Sequence, residues 1–144
     1  MSAALLESAV LPASTATRES TRTRWAGRIL SGIAVLFLVF DAGFKLVGSS
    51  QAVQGTAELG WPPHHLATLA MIQVVCLVLY LVPRTAPIGA VLWTGYFGGA
   101  IATHLRLDNP LLSHTLFPIY IAALLWGGLY LRDARVRALL RSTR

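Results

Sequence analysis

The chain has 144 residues, of which 55% are hydrophobic and only 12% charged, about half the charged share of an ordinary soluble domain. The net charge of +6 sits at the edges of apolar segments, and no aromatic residues interleave the C-terminal arginines, which argues against a nucleic-acid-binding stripe. Cys76 is the only cysteine, so an intramolecular disulfide, a Cys-x-x-Cys redox pair and a thiolate metal cluster are excluded.

Residues 1–24 are rich in Ser, Thr, Ala and Arg, with Leu5, Leu6, Val10 and Leu11 as the main bulky apolar residues. Such a composition cannot bury a core and is expected to form a flexible arm. It loosely resembles an organelle transit peptide, a reading ranked below a plain cytoplasmic tail. Residues 25–131 hold the apolar runs 25–47, 64–82, 86–105 and 111–131. Each is about as long as the roughly twenty residues that cross a bilayer core as a helix. None shows the polar stripe of a soluble bundle helix. The first run is too long for a cleaved signal and is expected to serve as an uncleaved anchor.

The connections fit a bundle. Residues 48–63 form the longest loop, with Gly48, Gly55, Gly60 and Pro62-Pro63, and Trp61 can anchor at the membrane interface. Pro83-Arg84-Thr85-Ala86-Pro87 and Asp108-Asn109-Pro110 read as tight turns. Pro118 is expected to kink the fourth helix, and Trp126 and Tyr130 suit an interface. Residues 132–144 form a basic tail. The expected fold is an all-α membrane protein, an antiparallel four-transmembrane-helix bundle with short loops.

Charge sets the orientation. Arg18, Arg22, Arg24 and Arg28 flank the first run, Arg84 follows the second, and Arg132, Arg135, Arg137, Arg141 and Arg144 close the chain. Four spans put all of these on one side and leave Lys45 and Arg106 on the other. The positive-inside rule makes the basic side cytoplasmic, with both termini there, in the plasma membrane. The lipid bilayer is thus the first partner, and the basic tail also attracts anionic lipid.

With that topology, ionisable residues scattered in sequence gather near one level. Asp41 lies roughly 24 Å along the first helix from Trp25. Lys45 is one turn further, an i, i+4 pair on one face. His64 and His65 open the second helix at the outer end, pointing apart. His104 and Arg106 close the third, and His114 opens the fourth. An ionisable residue inside a span is costly unless paired, so Asp41 and Lys45 mark either a functional site or a self-neutralising pair with Lys45 snorkelling outward. His104 could reach Asp41 and handle a proton, or be a satisfied structural histidine. Arg106 suits the C-terminus of its own helix. Gln73, near the bilayer midplane, either bonds a neighbouring helix or lines a cavity. No histidine pair has i, i+3 or i, i+4 spacing, so no metal site is expected. Cys76 is expected as a buried, inert thiol. Gly95-x-x-x-Gly99 with Gly98 is expected to let this helix press against another, within the bundle or in a homo-oligomer.

The stretch Tyr80–Arg106, YLVPRTAPIGAVLWTGYFGGAIATHLR, resembles the DoxX-like family of small bacterial and archaeal membrane proteins. So do Gly27–Leu46, GRILSGIAVLFLVFDAGFKL, and Leu116–Leu140, LFPIYIAALLWGGLYLRDARVRALL. The Pro-Arg-Thr turn, the double glycine and the Ala-Thr-His-x-Arg ending are specific as a set. The resemblance implies the four-helix fold. The family takes its name from a subunit of an archaeal quinol-linked respiratory complex, and other relatives are linked with oxidative-stress or sulfur-redox systems. Relatives often carry Glu where this chain has Gln73, which weakens any role needing a charge there. The matches at Asp41, Lys45, His104 and Arg106 stand.

Three functional readings follow. The first is an accessory subunit of a quinone-linked or thiol-redox system, partnered by a membrane or peripheral oxidoreductase, with no cofactor evident from motifs and a quinone as the open option. The second is a small proton-linked transporter using Asp41, Lys45 and His104 in an outward-facing polar cavity. The third is a membrane enzyme acting on a quinone or lipid, with His104 as acid or base.

Overall fold

The computed structural model describes residues 13–141, and within them every regular element is helical. Six α-helices follow in order: α1 (Ala13–Leu46), α2 (Ser50–Glu58), α3 (His65–Leu81), α4 (Ala86–Arg106), α5 (Phe117–Arg132) and α6 (Ala134–Arg141), with a single π-helical turn, Leu111–Thr115, leading into α5. Residues 1–12, with Leu5, Leu6, Val10 and Leu11, and residues 142–144, with Arg144, lie outside the described residues.

The long helices α1, α3, α4 and α5 occupy the expected apolar runs and form a four-membered ring: α1 packs on α3 and α5, and α4 on α3 and α5. Among the described residues, two segments are long and apolar enough to cross a membrane, Thr21–Leu46 and Leu111–Arg132, while His65–Leu81 is apolar but shorter. The core is spaced for helices, with Ala34, Leu38 and Ala42 of α1 facing Tyr80, Trp93, Leu125 and Leu129. The outer surface is also apolar. Ile29, Ile33, Leu36 and Phe40 of α1 and Ile88 and Val91 of α4 are all exposed, a far larger apolar surface than soluble monomers tolerate.

Several local expectations are corrected. The arm expected to run to residue 24 is helical from Ala13, because its Ala, Thr, Arg and Ser residues continue the helix of the apolar run without a breaker. The expected loop 48–63 contains α2, started by Ser49, whose hydroxyl accepts from Ala52 N at 3.3 Å. Gly48 (φ 62°) and Gly60 (φ 77°) supply the left-handed turns on either side of it. Pro118 does not kink a helix. It lies in the first turn of α5, where a missing N–H costs nothing. The basic tail folds as α6, and Arg137 Nη1 turns back to the Tyr130 and Leu131 carbonyls at 2.9 and 2.7 Å, satisfying the end of α5.

One end of the bundle is tight. A methyl group at Gly27 would stand 2.7 Å from Gly128 O, and one at Gly128 would stand 2.7 Å from Ser31 N, so α1 and α5 cross almost backbone to backbone. At the α3–α4 turn a methyl at Gly89 would stand 2.7 Å from Tyr80 Cα. These three glycines do what was expected of Gly95, Gly98 and Gly99. At each of those a methyl would meet nothing within 4 Å, so none of them sets a helix contact within this bundle. All three are exposed, while Trp93 and Phe97 of the same stretch are buried in the core, so these glycines lie off the packed face of α4.

Candidate functional site

A cavity of about 880 Å³ lies at the end away from the α3–α4 turn. Leu38, Cys76, Phe97 and Ile121 belong to the core and also line the cavity. Residues of α2 and Trp61 line it from the other side. Five residues singled out from sequence, Asp41, Lys45, Gln73, His104 and His114, line this one space.

Asp41 is its electrostatic centre. Lys45 Nζ forms an ion pair with Asp41 Oδ2, the contact their i, i+4 spacing permits. Gln73 Nε2 donates to the same Oδ2 at 2.6 Å, and Lys45 Nζ donates to Gln73 Oε1 at 3.3 Å. The three side chains close a ring between α1 and α3. Gln73 is 1% exposed, Lys45 is 17% and Asp41 36%. The lysine therefore lies inward, beside the amide, rather than snorkelling outward. Both of Gln73's alternatives hold together, since it bonds a neighbouring helix and lines a cavity. The ring is neutral overall, with each member bonded to the other two, and so is not a bare buried charge.

The histidines are arranged differently from the expectation that His104 would reach Asp41. Asn109 Nδ2 donates to His104 Nδ1 at 2.9 Å, which places the ring proton of a neutral imidazole on Nε2. His114 pairs through Nδ1 with Ser113 Oγ at 2.8 Å. The two imidazoles meet at 6.0 Å between centroids. This pairing depends on Asp108, whose φ of 52° reverses the chain after α4, a conformation Asp tolerates better than most residues. Asn109 N then donates to His104 O at 3.1 Å.

Arg106 is not with the others. It reaches back to α2, donating to Leu59 O at 3.1 Å, and so caps the C-terminus of a neighbouring helix instead of its own. Its head also fills the space over Gly60. His64 and His65, expected to point apart, have rings 4.1 Å between centroids, because His64 precedes the first full turn of α3. Among the described residues no group of three His, Cys, Asp or Glu is placed to hold a metal ion.

Three features of the site were not read from sequence. Tyr96 lines the cavity, and its spacing of eight from His104 could have placed it on that wall. Asn109 fixes the His104 ring. The helix α2 lines the cavity opposite the core, and Ser49 as an N-cap was its signal.

At the opposite end a second polar knot serves packing. Tyr80 Oη donates to Leu125 O at 2.8 Å and pairs with Ser31 Oγ at 2.9 Å. Arg132 lies over the Tyr80 ring, Cζ 4.9 Å from its centroid. Outside the bundle, Arg135 bonds both Asp133 oxygens and Pro83 O. This bonding to Arg135 holds the Asp133 carboxyl below the usual carboxylate range.

The model of the DoxX-like family matches residues 29–128, well over half of the chain. Among curated proteins nothing matches, and among solved structures nothing matches either.

Proposed function

The chain belongs to the DoxX-like family, and from that premise we propose that it is a four-span plasma-membrane protein which binds a small molecule in its polar cavity as an accessory subunit of a redox system. In this reading α1, α3, α4 and the segment from the π turn through α5 are the spans. The arginine-flanked end is cytoplasmic, as the positive-inside rule requires, and the cavity lies towards the outer face. The apolar exterior supports the bilayer as surroundings. The link to a quinone-linked or thiol-redox oxidoreductase rests on the family resemblance alone.

The observation that carries ligand binding is the convergence of Asp41 and Lys45 of α1, Gln73 of α3, His104 of α4 and His114 of the π turn on one cavity of about 880 Å³. That is an ample volume for a small-molecule pocket, and its few polar groups among apolar walls fit the usual pattern. The test is direct. Protein purified from its native membrane should carry a bound molecule in excess over bulk lipid, read by mass spectrometry of the extract. Asp41→Asn should lose that molecule while keeping its helical content. An extract of the wild-type protein matching the surrounding membrane would overturn the reading.

A proton-linked carrier is the second reading, favoured by the Asp41–Lys45 pair standing in the cavity. It demands proton-coupled flux in proteoliposomes, and Asp41→Asn would stop it.

A further inference from the structure

The cavity wall is uneven, and its thinnest side indicates how a ligand enters. α3 and α4 touch at Gly89, where a methyl group would stand 2.7 Å from Tyr80 Cα. About two turns along α4 the space beside the helix is empty, since a methyl at Gly95 or Gly99 would meet nothing within 4 Å. Both glycines line the cavity, and so do Ile72 of α3 and Leu92 of α4. Those two residues are 45% and 43% exposed, so this wall of the cavity is not sealed by packing. The seam between α1 and α5 is different. There Phe37 and Phe117, which also line the cavity, meet edge to face at 5.3 Å between centroids, so two bulky rings in contact stand where the α4 side has glycines. The opening is therefore a lateral slot between two apolar helices. In the four-span reading that slot faces acyl chains.

The interior chemistry fits one kind of head group. Asp41 and Lys45 cancel each other's charge and Gln73 is neutral, so at this ring an ionic head would have to displace a partner already in place, and the other carboxylate lining the cavity, Glu58, stands at its exposed α2 edge. Asp41 Oδ2 receives both Lys45 and Gln73, while Oδ1 receives no hydrogen bond from the described residues. Tyr96 adds a phenol to the same cavity. A hydroxyl donates to Asp41 Oδ1 and accepts from the phenol or from Lys45 without disturbing the ring. Resting on the reading of the cavity as a binding site, we propose that its ligand is an uncharged, hydroxyl-bearing amphiphile. It enters sideways from the bilayer between α3 and α4, seats its head at Asp41 and leaves its chain in the slot beside Gly95 and Gly99.

The full-length protein in phosphatidylcholine nanodiscs provides the test, with a monoacylglycerol carrying a photoactivatable diazirine in its chain. Crosslinks should map to cavity residues of α3 and α4, saturate, and be competed by unlabelled monoacylglycerol but not by glycerol. A diazirine fatty acid, which is anionic, should label these residues no more than it labels the lipid-facing side of α1. Leucine at both Gly95 and Gly99 fills the slot where there is room for it, and should lower cavity labelling about tenfold. Gly98→Leu, equally roomy but outside the cavity lining, should leave it unchanged. Equal labelling after the slot is filled, or competition by glycerol alone, overturns lateral entry and leaves the cavity as a site reached from water. Saturable labelling by the fatty acid alone overturns the neutral head. Absence of saturable cavity labelling by either probe overturns the ligand class, and the native extract then shows separately whether the cavity holds something else.

Discussion

The two ends of this bundle are built from the same four long helices and behave oppositely. At the arginine-flanked end the backbones touch at Gly27, Gly128 and Gly89. The buried Tyr80 hydroxyl is satisfied by Ser31 and a backbone carbonyl. At the histidine end Asp41, Lys45 and Gln73 bond to one another beside a cavity. A polar group answered by the scaffold it belongs to is part of packing. Polar groups that answer each other beside empty space keep spare hydrogen-bonding capacity, and that capacity is what a ligand can use.

The contrast breaks most sharply at its glycines. Gly89→Ala and Gly128→Ala put a methyl into main-chain atoms that cannot step aside, so each should destabilise the protein by about 1–3 kcal/mol or more. Gly95→Ala and Gly99→Ala meet open space, and should be neutral or stabilising by up to about 1 kcal/mol through helix propensity. Thermal unfolding of the four variants in one detergent ranks them. Similar losses at all four would mean that α4 is pressed along its whole length, and the two-ended description would fail.

A smaller effect sharpens the same comparison through hydrogen bonds. Tyr80→Phe removes the bonds to Leu125 O and to Ser31 Oγ at a fully buried site, for an expected loss of about 1–2 kcal/mol. Gln73→Leu removes the amide from Asp41, which keeps Lys45 and remains a third exposed, so the loss there should be about 1 kcal/mol or less. Chemical denaturation in mixed micelles distinguishes them. A larger loss at Gln73 than at Tyr80 would make the cavity ring the structural keystone rather than a binding surface.

The sequence made part of this legible, for physical reasons. Apolar runs of membrane length locate α3 and α4 to within a residue or so, because proline turns bound them on both sides. A rise of 1.5 Å per residue was enough to bring Asp41, Lys45, His104 and His114 towards one level, while it left Gln73 near the midplane. What it could not supply was which glycines of α4 meet a neighbouring backbone. Gly95-x-x-x-Gly99 and Gly89 are chemically alike, and only which positions of α4 pack inward decides which of them touches a neighbour. Arg106 was misplaced for a related reason: its natural target looked local, the end of its own helix, but the short α2 brought another C-terminus within reach.

The smallest expected effect lies just past the tight end, where α6 is tied on. Asp133 Oδ1 accepts from Arg135 N at 2.9 Å, capping α6, while Arg135 Nη2 bonds both Asp133 Oδ2 and Pro83 O. The Asp133 carboxyl is held below its ordinary value by these bonds, so it releases its proton more readily folded than unfolded. Its contribution is then fully present above the unfolded carboxylate value of about 3.9 and is lost as pH falls through the lower folded value. Hydrogen exchange of the α6 amides should accordingly show no pH-specific loosening between neutral and mildly acidic conditions, and an added loosening below about pH 4. Asp133→Asn should flatten that acid response and leave α1 to α5 unaffected. Loosening that begins near pH 6 would point to a histidine instead, and would tie α6 to the far end of the bundle after all.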